Sequence, residues 1–341
     1  MINIEKRSST LDTYRLLNEL SKINGSNVDG ALLDRTMFNS EKLPPLGKEY
    51  WWLLFFDEKG ENPLQMMLLI FRKYGGRILF NDKEMRLRDR GNNEFQAVTA
   101  GWVFDGERLR DLGDTNAVVR IERNEIIAEI SSLKMTLVGG YPDYELRVGD
   151  IINLDIKKSN FLEDREARGV FIPPFGMGWV NIFSDADGNI LGKNFKGTAH
   201  LQKVVGVTMF GPFNWGRIIF QNGSSTSFFC LKPGKDSKRY IHRSLTFYEA
   251  KNNEIVRFDD PMLKISEEGT RWVVEGKDRD KDFRIALDVY ARKQFTLKGG
   301  GSQVYVEYAV KTKDLYLRTK DRVITIVDVG RGVGTFEDAY W

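Results

Sequence analysis

The stretch EYWWLLFFDEKGENPLQMMLLIFRK, residues 49–73, decides the fold. Two almost uninterrupted apolar runs flank a turn built from Asp, Gly, Asn and Pro, which is typical of a β-hairpin. Side chains alternate across a strand, so apolar residues in succession predict that both faces of this hairpin are covered. A buried sheet, a membrane hairpin and the wall of a pocket for an apolar ligand all satisfy that requirement.

Composition narrows these alternatives. The 341 residues include 51 Lys and Arg against 48 Asp and Glu, interspersed rather than grouped, which argues against a nucleic-acid surface. A single cysteine, Cys230, excludes an internal disulfide and favours a cytoplasmic location. The N-terminus lacks the apolar run of a signal peptide, and MMLLIF is much shorter than the ~20 apolar residues of a spanning helix. We therefore expect no integral membrane segment, and the oligomeric state stays open.

Strand patterns with polar turns dominate the rest of the chain. Helical spacing is scarce and is clearest over residues 10–23, with Ser9 or Thr10 as the capping residue. The pattern predicts an all-β, antiparallel sandwich or barrel with a short N-terminal helix. The predicted hairpins pair 215–220 with 225–231, 245–249 with 255–258, and 271–275 with 283–290; 179–183 reverses at SDADGN, 304–310 reverses at KTKD into 315–319, and 323–329 is a further strand.

An internal repeat suggests two similar domains. YWWLLFFDEKG and FNWGRIIFQNG share an order of aromatic residue, Trp, apolar strand, Phe and Gly turn, which aligns Trp52 with Trp215. The irregular, Pro- and Gly-containing segment 157–176 is the expected join. We therefore predict an N-terminal domain over residues 1–165 and a C-terminal domain over residues 166–341.

Three segments carry a resemblance to a known family: residues 49–73, FKGTAHLQKVVGVTMFGPFNWGRIIFQNG (195–223) and GRGVGTFEDAYW (330–341). On these, the chain resembles the lipocalin-like (calycin) superfamily of hydroxyneurosporene synthase (carotenoid hydratase), AttH-type proteins and fungal Diels–Alderases. The resemblance implies two calycin-like β domains, with a cavity in or between them for an apolar isoprenoid or polyketide. The chain departs from the Asp-His-Asn-Trp-Gly type signature of carotenoid hydratases at HLQKVVG (200–206), which leaves hydration of a carotenoid unsupported.

Aromatic residues are the candidate ligand-binding groups. Trp51 and Phe55 share one face of their strand and Trp52 lies on the other, so one set could line a cavity. Packing in a core is the favoured interpretation for each residue taken singly. Tyr305 is a further candidate, in the alternating run VYVEYAV.

Asn214, Trp215 and Arg217 form a second candidate group. Trp215 and Arg217 share a face, where the guanidinium could stack on the indole or bind an acidic group of a ligand. An exposed arginine that covers the tryptophan is an equally good interpretation.

Two carboxylates are the candidate catalytic groups. Glu49 would be a proton donor if it faced an apolar cavity, since burial raises the pKa of a carboxyl group. An ion pair with Arg72 or a surface position is the favoured interpretation. Glu307 shares a face with Tyr305 and could be the lone acid of an aromatic-walled pocket, although a solvated strand face is favoured.

Other chemistry finds little support in the sequence. His200 and His242 are the only histidines, and neither has neighbours at the spacing of a metal site. GRGVG precedes no predicted helix, and no Gly-x-Ser-x-Gly motif is present. We therefore expect no metal, nucleotide or other cofactor.

Three functions remain open. The first is binding of an apolar isoprenoid or lipid, with hydration, cyclisation or isomerisation by a lyase or isomerase mechanism. The second is a non-catalytic carrier of such a molecule. The third is a structural or partner-binding β protein whose core is filled by its own side chains.

Overall fold

The computed structural model describes residues 13–57, 61–91, 93–159, 164–209, 211–234, 240–258, 261–299 and 302–340. Antiparallel strands dominate, so the predicted all-β class is confirmed. The elements follow in chain order: α1 Thr13–Ile23, β1 Gly25–Ser26, α2 Gly30–Met37, β2 Gly47–Asp57, β3 Gln65–Lys73, β4 Gly76–Phe80, β5 Lys83–Leu87, β6 Asp89–Gly91, β7 Glu94–Phe104, β8 Leu109–Glu122, β9 Glu125–Ile130, β10 Leu133–Gly140, β11 Asp143–Val148, β12 Ile152–Lys158, β13 Arg165–Ile172, β14 Phe175–Ile190, β15 Lys193–Val207, β16 Phe213–Phe220, β17 Ser225–Leu231, β18 His242–Glu249, β19 Glu254–Phe258, β20 Met262–Glu268, β21 Arg271–Asp278, β22 Lys281–Lys298, β23 Ser302–Arg318, β24 Val323–Thr325, α3 Ile326–Val329 and β25 Gly332–Tyr340.

The first sheet closes into a barrel of ten strands. Its order is β14-β12-β11-β10-β9-β8-β7-β3-β2-β15, and β15 pairs again with β14. Strands β13 and β1 extend this sheet beyond β14, and β6 pairs with β7. Closure removes the free edges of the ten strands, so every inward side chain belongs to one enclosed core.

The second sheet has the order β19-β18-β17-β16-β25-β23-β22-β21-β20, with β24 beside β23. It curls until β19 touches β21, and it encloses a separate apolar core that includes Phe228, Phe283 and Phe336. The hairpin β4–β5 leaves the first half of the chain and pairs β4 with β22. The two β units are therefore also linked through hydrogen bonds between their strands.

Strand β2 has apolar residues on both faces because it lies between two cores. Trp51 and Phe55 point into the first barrel, whereas Trp52 and Phe56 point outward into a third apolar cluster that includes residues of the second sheet. The predicted hairpin of β2 with β3 and the predicted division of its faces are both confirmed. Since β2 is covered on both sides by the protein itself, its apolar run needs no membrane.

Two helices cover the first barrel. The helix predicted over residues 10–23 is confirmed from Thr13, and its predicted caps, Ser9 and Thr10, lie outside the described residues. The second helix, α2, was missed, although Asp29 caps it by accepting a hydrogen bond from the backbone N–H of Ala31. None of the described helices is long and apolar enough to cross a membrane.

Two predicted turns and part of one predicted strand were wrong. Long ladders hold the polar segments of the two turns in extended form. SDADGN lies inside β14, which pairs with β12 and β15 on its two sides, and KTKD lies inside β23, paired with β22. Segment 323–329 is only partly strand, since Thr325 and Asp328 form a capping box that starts α3. The other three hairpins predicted after residue 200 are confirmed.

Sheet pairing locates where the chain passes from one unit to the other. The predicted boundary at 165/166 falls at the start of β13, whereas β13, β14 and β15 all belong to the first sheet, up to Val207. The second sheet takes over from Phe213. We therefore propose that the domain junction lies between Val207 and Phe213; part of the predicted join, residues 160–163, is outside the described residues.

Candidate functional site

The outer face of the first barrel packs against the second sheet through a layer of aromatic and aliphatic side chains, here named the aromatic interface. Strands β2, β3 and β7 supply it from the barrel, and β16, β22, β23 and β25 supply it from the second sheet. Its ring-bearing members include Tyr50, Trp52, Phe71, Trp102, Phe213, Trp215, Phe295 and Tyr305.

A pair of carboxyl groups interrupts this apolar layer. Glu307 on β23 lies directly opposite Glu337 on β25, and both side chains are buried. The hydroxyl of Tyr305 donates a hydrogen bond to Oε2 of Glu307 at 3.2 Å, and the hydroxyl of Thr335 donates to Oε1. The favoured expectation that Glu307 lies on a solvated strand face was wrong, because β25 and the first barrel cover it.

Burial makes this pair retain protons at neutral pH. Removal from water raises the pKa of Glu307 to about 7, although hydrogen bonds from Thr335 and Tyr305 favour its charged form. Burial, followed by the charge of Glu307, raises the pKa of Glu337 well above its ordinary value. Two adjacent carboxyl groups that share a hydrogen bond titrate as a unit, so we expect Glu337 to hold a proton and Glu307 to accept it.

Stacked rings lead from this pair onto the first barrel. Tyr305 stacks on Trp52 with ring centroids 5.1 Å apart, and Trp52 stacks in turn on Tyr50 at 6.4 Å. Phe213 closes the other side of Tyr305 at 6.0 Å. Aromatic faces attract positive charge, so this wall is suited to a reaction in which a cation develops beside a carboxylate.

His200 belongs to a neighbouring polar cluster on the outer face of the barrel. Its Nε2 donates to Oδ1 of Asn181 at 2.9 Å, and Gln202 donates to the same oxygen at 2.8 Å. Its Nδ1 has no hydrogen-bond partner among the described residues. Burial, with the charge of Arg217, holds the pKa of His200 well below its usual range, so the ring is neutral at pH 7.

Arg217 and Trp215 connect this cluster to the second sheet. The Arg217 guanidinium lies 3.4 Å from the centre of the Phe183 ring, so it stacks on that ring. Trp215 contacts the His200 ring at 5.5 Å, and it pairs with Glu337 across strands. No local pattern selects His200 as a site residue, because only strand pairing places it on the outer face opposite Leu54.

Glu49 lies apart from this site, inside the first barrel. Arg72 donates to Glu49 Oε2 at 2.6 Å, which confirms the ion pair considered from the sequence, and Lys203 Nζ lies 3.3 Å from Oε1. Trp51 is beneath the Lys203 ammonium at 4.6 Å, and Phe55 packs deeper in the same core. A catalytic role for Glu49 stays untested.

A fourth charged residue, Glu41, completes the buried charge cluster, which we define as Glu41, Glu49, Arg72 and Lys203. The backbone N–H of Glu41 donates to Glu49 at 2.8 Å, and Lys203 donates to the carbonyl oxygen of Asn39 at 2.6 Å. Burial raises the pKa of Glu41 to about 7, against the opposing charge of Lys203. The cluster thus fixes residues 39–41 to the barrel interior, which fits a structural role.

Asn214 also lies away from the aromatic interface. Its side-chain amide donates to Asp338 at 2.8 Å, on the face of the second sheet that is opposite to the one bearing Trp215. Of the sequence-selected residues, the fold thus brings together Trp52, Trp215, Arg217, Tyr305 and Glu307. It places Glu49, Trp51 and Phe55 in the first barrel core.

Two depressions lie on the outside of the molecule. One, of about 330 Å³, is lined by acidic and basic residues of β12, β14 and β15, including Asp155 and Asp185. The other, of about 370 Å³, lies on the second sheet beside Met262 and Tyr316. Neither borders Glu307. Within the described part of the chain, no three His, Cys, Asp or Glu side chains are grouped as metal ligands.

No protein-family model matches the chain. No curated protein matches it in sequence.

Solved structures do match it. The fold is similar to that of CghA. One CghA structure aligns with a TM-score of 0.51 and 11% identity over 97% of this chain and 97% of CghA. A structure of CghA with Sch210972 aligns with a TM-score of 0.51 and 10% identity over 94% and 95% of the two chains.

An AttH-like protein from Nitrosomonas europaea aligns with a TM-score of 0.48 and 13% identity over 85% of this chain and 91% of that one. The alignment with the two CghA structures confirms, at the level of the fold, the resemblance found in the sequence.

Proposed function

We propose that the protein binds an apolar small molecule, an isoprenoid or lipid, at the aromatic interface and catalyses proton-transfer chemistry on it. Hydration, cyclisation and isomerisation of an alkene all fit this description. The observation that carries the proposal is the buried pair of Glu307 and Glu337 beside the stack of Trp52 on Tyr305. The proposal is also supported by the structure of CghA with Sch210972, in which a protein of similar fold is seen together with a compound.

The proposed role of each residue follows from the proton that we expect on Glu337. Protonated Glu337 would give its proton to a double bond, leaving a carbocation and a Glu337 carboxylate, and the rings of Trp52 and Tyr305 would stabilise the cation. Loss of a different proton to a carboxylate completes an isomerisation, and addition of water followed by loss of a proton completes a hydration. Tyr305 and Thr335 are positioning residues, since they hold Glu307 where it accepts the hydrogen bond from Glu337.

A second function is favoured by a different observation. Both enclosed cores are lined by large apolar side chains of the protein itself, and neither of the two surface depressions described above borders the aromatic interface. A structural or partner-binding β protein would have this arrangement, with the carboxyl pair as a buried hydrogen bond. The interface must separate locally to admit a ligand under the first function, but not under this one.

Mass spectrometry of the protein purified from a lipid-containing host tests the proposal. Native followed by denaturing spectra should reveal a stoichiometric apolar compound in the wild type and in Val327→Ala, an exposed substitution on α3. Trp52→Ala should lose it, because the wall of the site is removed. Absence of any compound, together with failure to bind an apolar dye, would support the filled-core function instead.

A further inference from the structure

Large apolar side chains are exposed at one end of the first barrel. Between 45% and 72% of the surface of each remains accessible, although core side chains of the same types in this barrel are nearly inaccessible. We name this set the apolar rim; its members are Leu46, Tyr74, Val170, Ile172, Phe175 and Met209.

The rim is continuous because its residues end five neighbouring strands, β13, β14, β15, β2 and β3. Ile172 pairs with Phe175 across the β13–β14 turn, and Val207 pairs with both Gly176 and Gly47. The backbone N–H of Tyr74 donates to the carbonyl oxygen of Gly47 at 2.8 Å. With strands about 4.8 Å apart, the rim extends over roughly 20 Å.

The charges of the rim have a single sign. Segments 42–48, 73–76, 169–177 and 204–209, which form it, contain three lysines and no acidic residue. Lys48 and Lys73 are direct cross-strand partners. Burial, and to a lesser degree the neighbouring Lys73 charge, lowers the pKa of Lys48 to about 7, so the positive charge of the rim rests mainly on Lys42 and Lys73.

We propose that the apolar rim docks on the surface of an anionic lipid bilayer, with Ile172 and Phe175 in the boundary between headgroups and acyl chains. Exposed apolar side chains beside lysines are the combination that binds such surfaces without spanning them. Lys42 and Lys73, which are exposed and half-buried, would lie at the level of the lipid phosphates. This inference stands without the proposed reaction.

The position of the rim also suits an apolar ligand. Lys48, Tyr50 and Trp52 alternate along the outer face of β2, so the ring stack of the aromatic interface begins at the rim. A molecule that left the bilayer would meet this stack first. This link, unlike the docking itself, rests on the proposed function.

Sedimentation with vesicles tests the docking. The wild type should bind vesicles of equal parts phosphatidylcholine and phosphatidylglycerol, bind phosphatidylcholine alone at least about tenfold more weakly, and be released by salt. Ile172→Ser with Phe175→Ser should weaken binding by about tenfold or more, since two apolar insertions are lost. The control, Met262→Ser with Val327→Ser, removes two other exposed apolar residues, which lie outside the rim, and should bind like the wild type.

Three results would overturn the inference: no binding to anionic vesicles, equal binding of the rim and control variants, or a dimer in size-exclusion chromatography that the rim variant alone dissociates. The last result would assign the rim to a second copy of this chain. Because all four substituted side chains are exposed, a circular-dichroism melt should show unchanged folding for both variants.

Discussion

Glu307 and Glu337 lie directly opposite each other on β23 and β25, buried within a layer that is otherwise largely aromatic. Two ionised carboxylates at such a position would repel each other without solvent to screen them. The pair therefore keeps a proton, and the surrounding hydroxyl groups of Tyr305 and Thr335 favour the charge on Glu307. This arrangement places a proton donor, Glu337, beside a proton acceptor, Glu307, on adjacent strands.

The raised pKa values predict that stability falls as pH rises. Below about pH 7 the folded protein also binds a proton on Glu307, which the unfolded chain releases near pH 4.5, so this contribution is complete below pH 4.5 and is lost as the pH rises through about 7. The difference corresponds to a free energy on the order of 3 kcal/mol. Urea unfolding should be measured from pH 4 to 9. The free energy of unfolding of Glu307→Gln should increase relative to that of the wild type as the pH rises. A difference that stays constant with pH would contradict the raised pKa of Glu307.

Removal of the Tyr305 hydroxyl should raise the pKa of Glu307 further. The hydroxyl donates to the carboxylate, and a hydrogen bond to the charged form lowers a pKa. NMR titration of glutamate carboxyl carbons in Tyr305→Phe would measure the change. Tyr290→Phe is the control, because Tyr290 is a partly buried tyrosine of the same interface but donates to Gln65. Equal changes in the pKa of Glu307 in both variants would show that the change does not come from the hydrogen bond donated by Tyr305.

Truncation of Trp52 should destabilise the protein strongly. Trp52 stacks on both Tyr50 and Tyr305, and substitution of a buried tryptophan by alanine typically costs about 3–5 kcal/mol. Trp215→Ala should cost less, since Trp215 is only half-buried. Chemical denaturation of both variants gives the comparison. A larger loss for Trp215 would show that the stack does not hold the two units together.

The buried charge cluster should behave as a unit. Arg72→Met leaves Glu49 buried without its guanidinium partner, at an expected cost of about 3–5 kcal/mol. Adding Glu49→Gln should recover part of this loss, with a coupling of roughly 1–3 kcal/mol in a double-mutant cycle. Lys264→Met, which breaks an exposed pair with Glu275, should cost under about 1 kcal/mol. If the losses in free energy of unfolding caused by the Arg72 and Glu49 substitutions were strictly additive, the two residues would not be coupled and the cluster would not act as a unit.

The fold was predictable wherever local pattern and turn chemistry agree. The hairpin of β2 and β3 follows from apolar runs around a polar turn, and alternation alone separates Trp51 from Trp52. Long strands such as β14 and β23 were not predictable, because their polar centres look like turns until partners on both sides hold them extended. Tertiary pairing overrides local preference there.

The candidate site was only half accessible to sequence reasoning. Alternation along the strand selected Tyr305 and Glu307 together. Glu337 was not selected, because only the pairing of β23 with β25 places it opposite Glu307. Glu307 is buried because the outer face of the first barrel packs against the face of the second sheet that carries it. No local pattern in a sequence reports contacts of this kind.

Turnover of the co-purified compound tests the central claim most directly. Wild type, Glu307→Gln and Glu41→Gln would be compared by mass spectrometry of substrate and product, because Glu41 is also buried with a pKa of about 7 but lies in the barrel core. We predict that Glu307→Gln binds the compound in stoichiometric amount and converts it about 10²–10⁴-fold more slowly, whereas Glu41→Gln retains turnover. Unchanged turnover in Glu307→Gln would contradict the assignment of the interface pair as the acid and base.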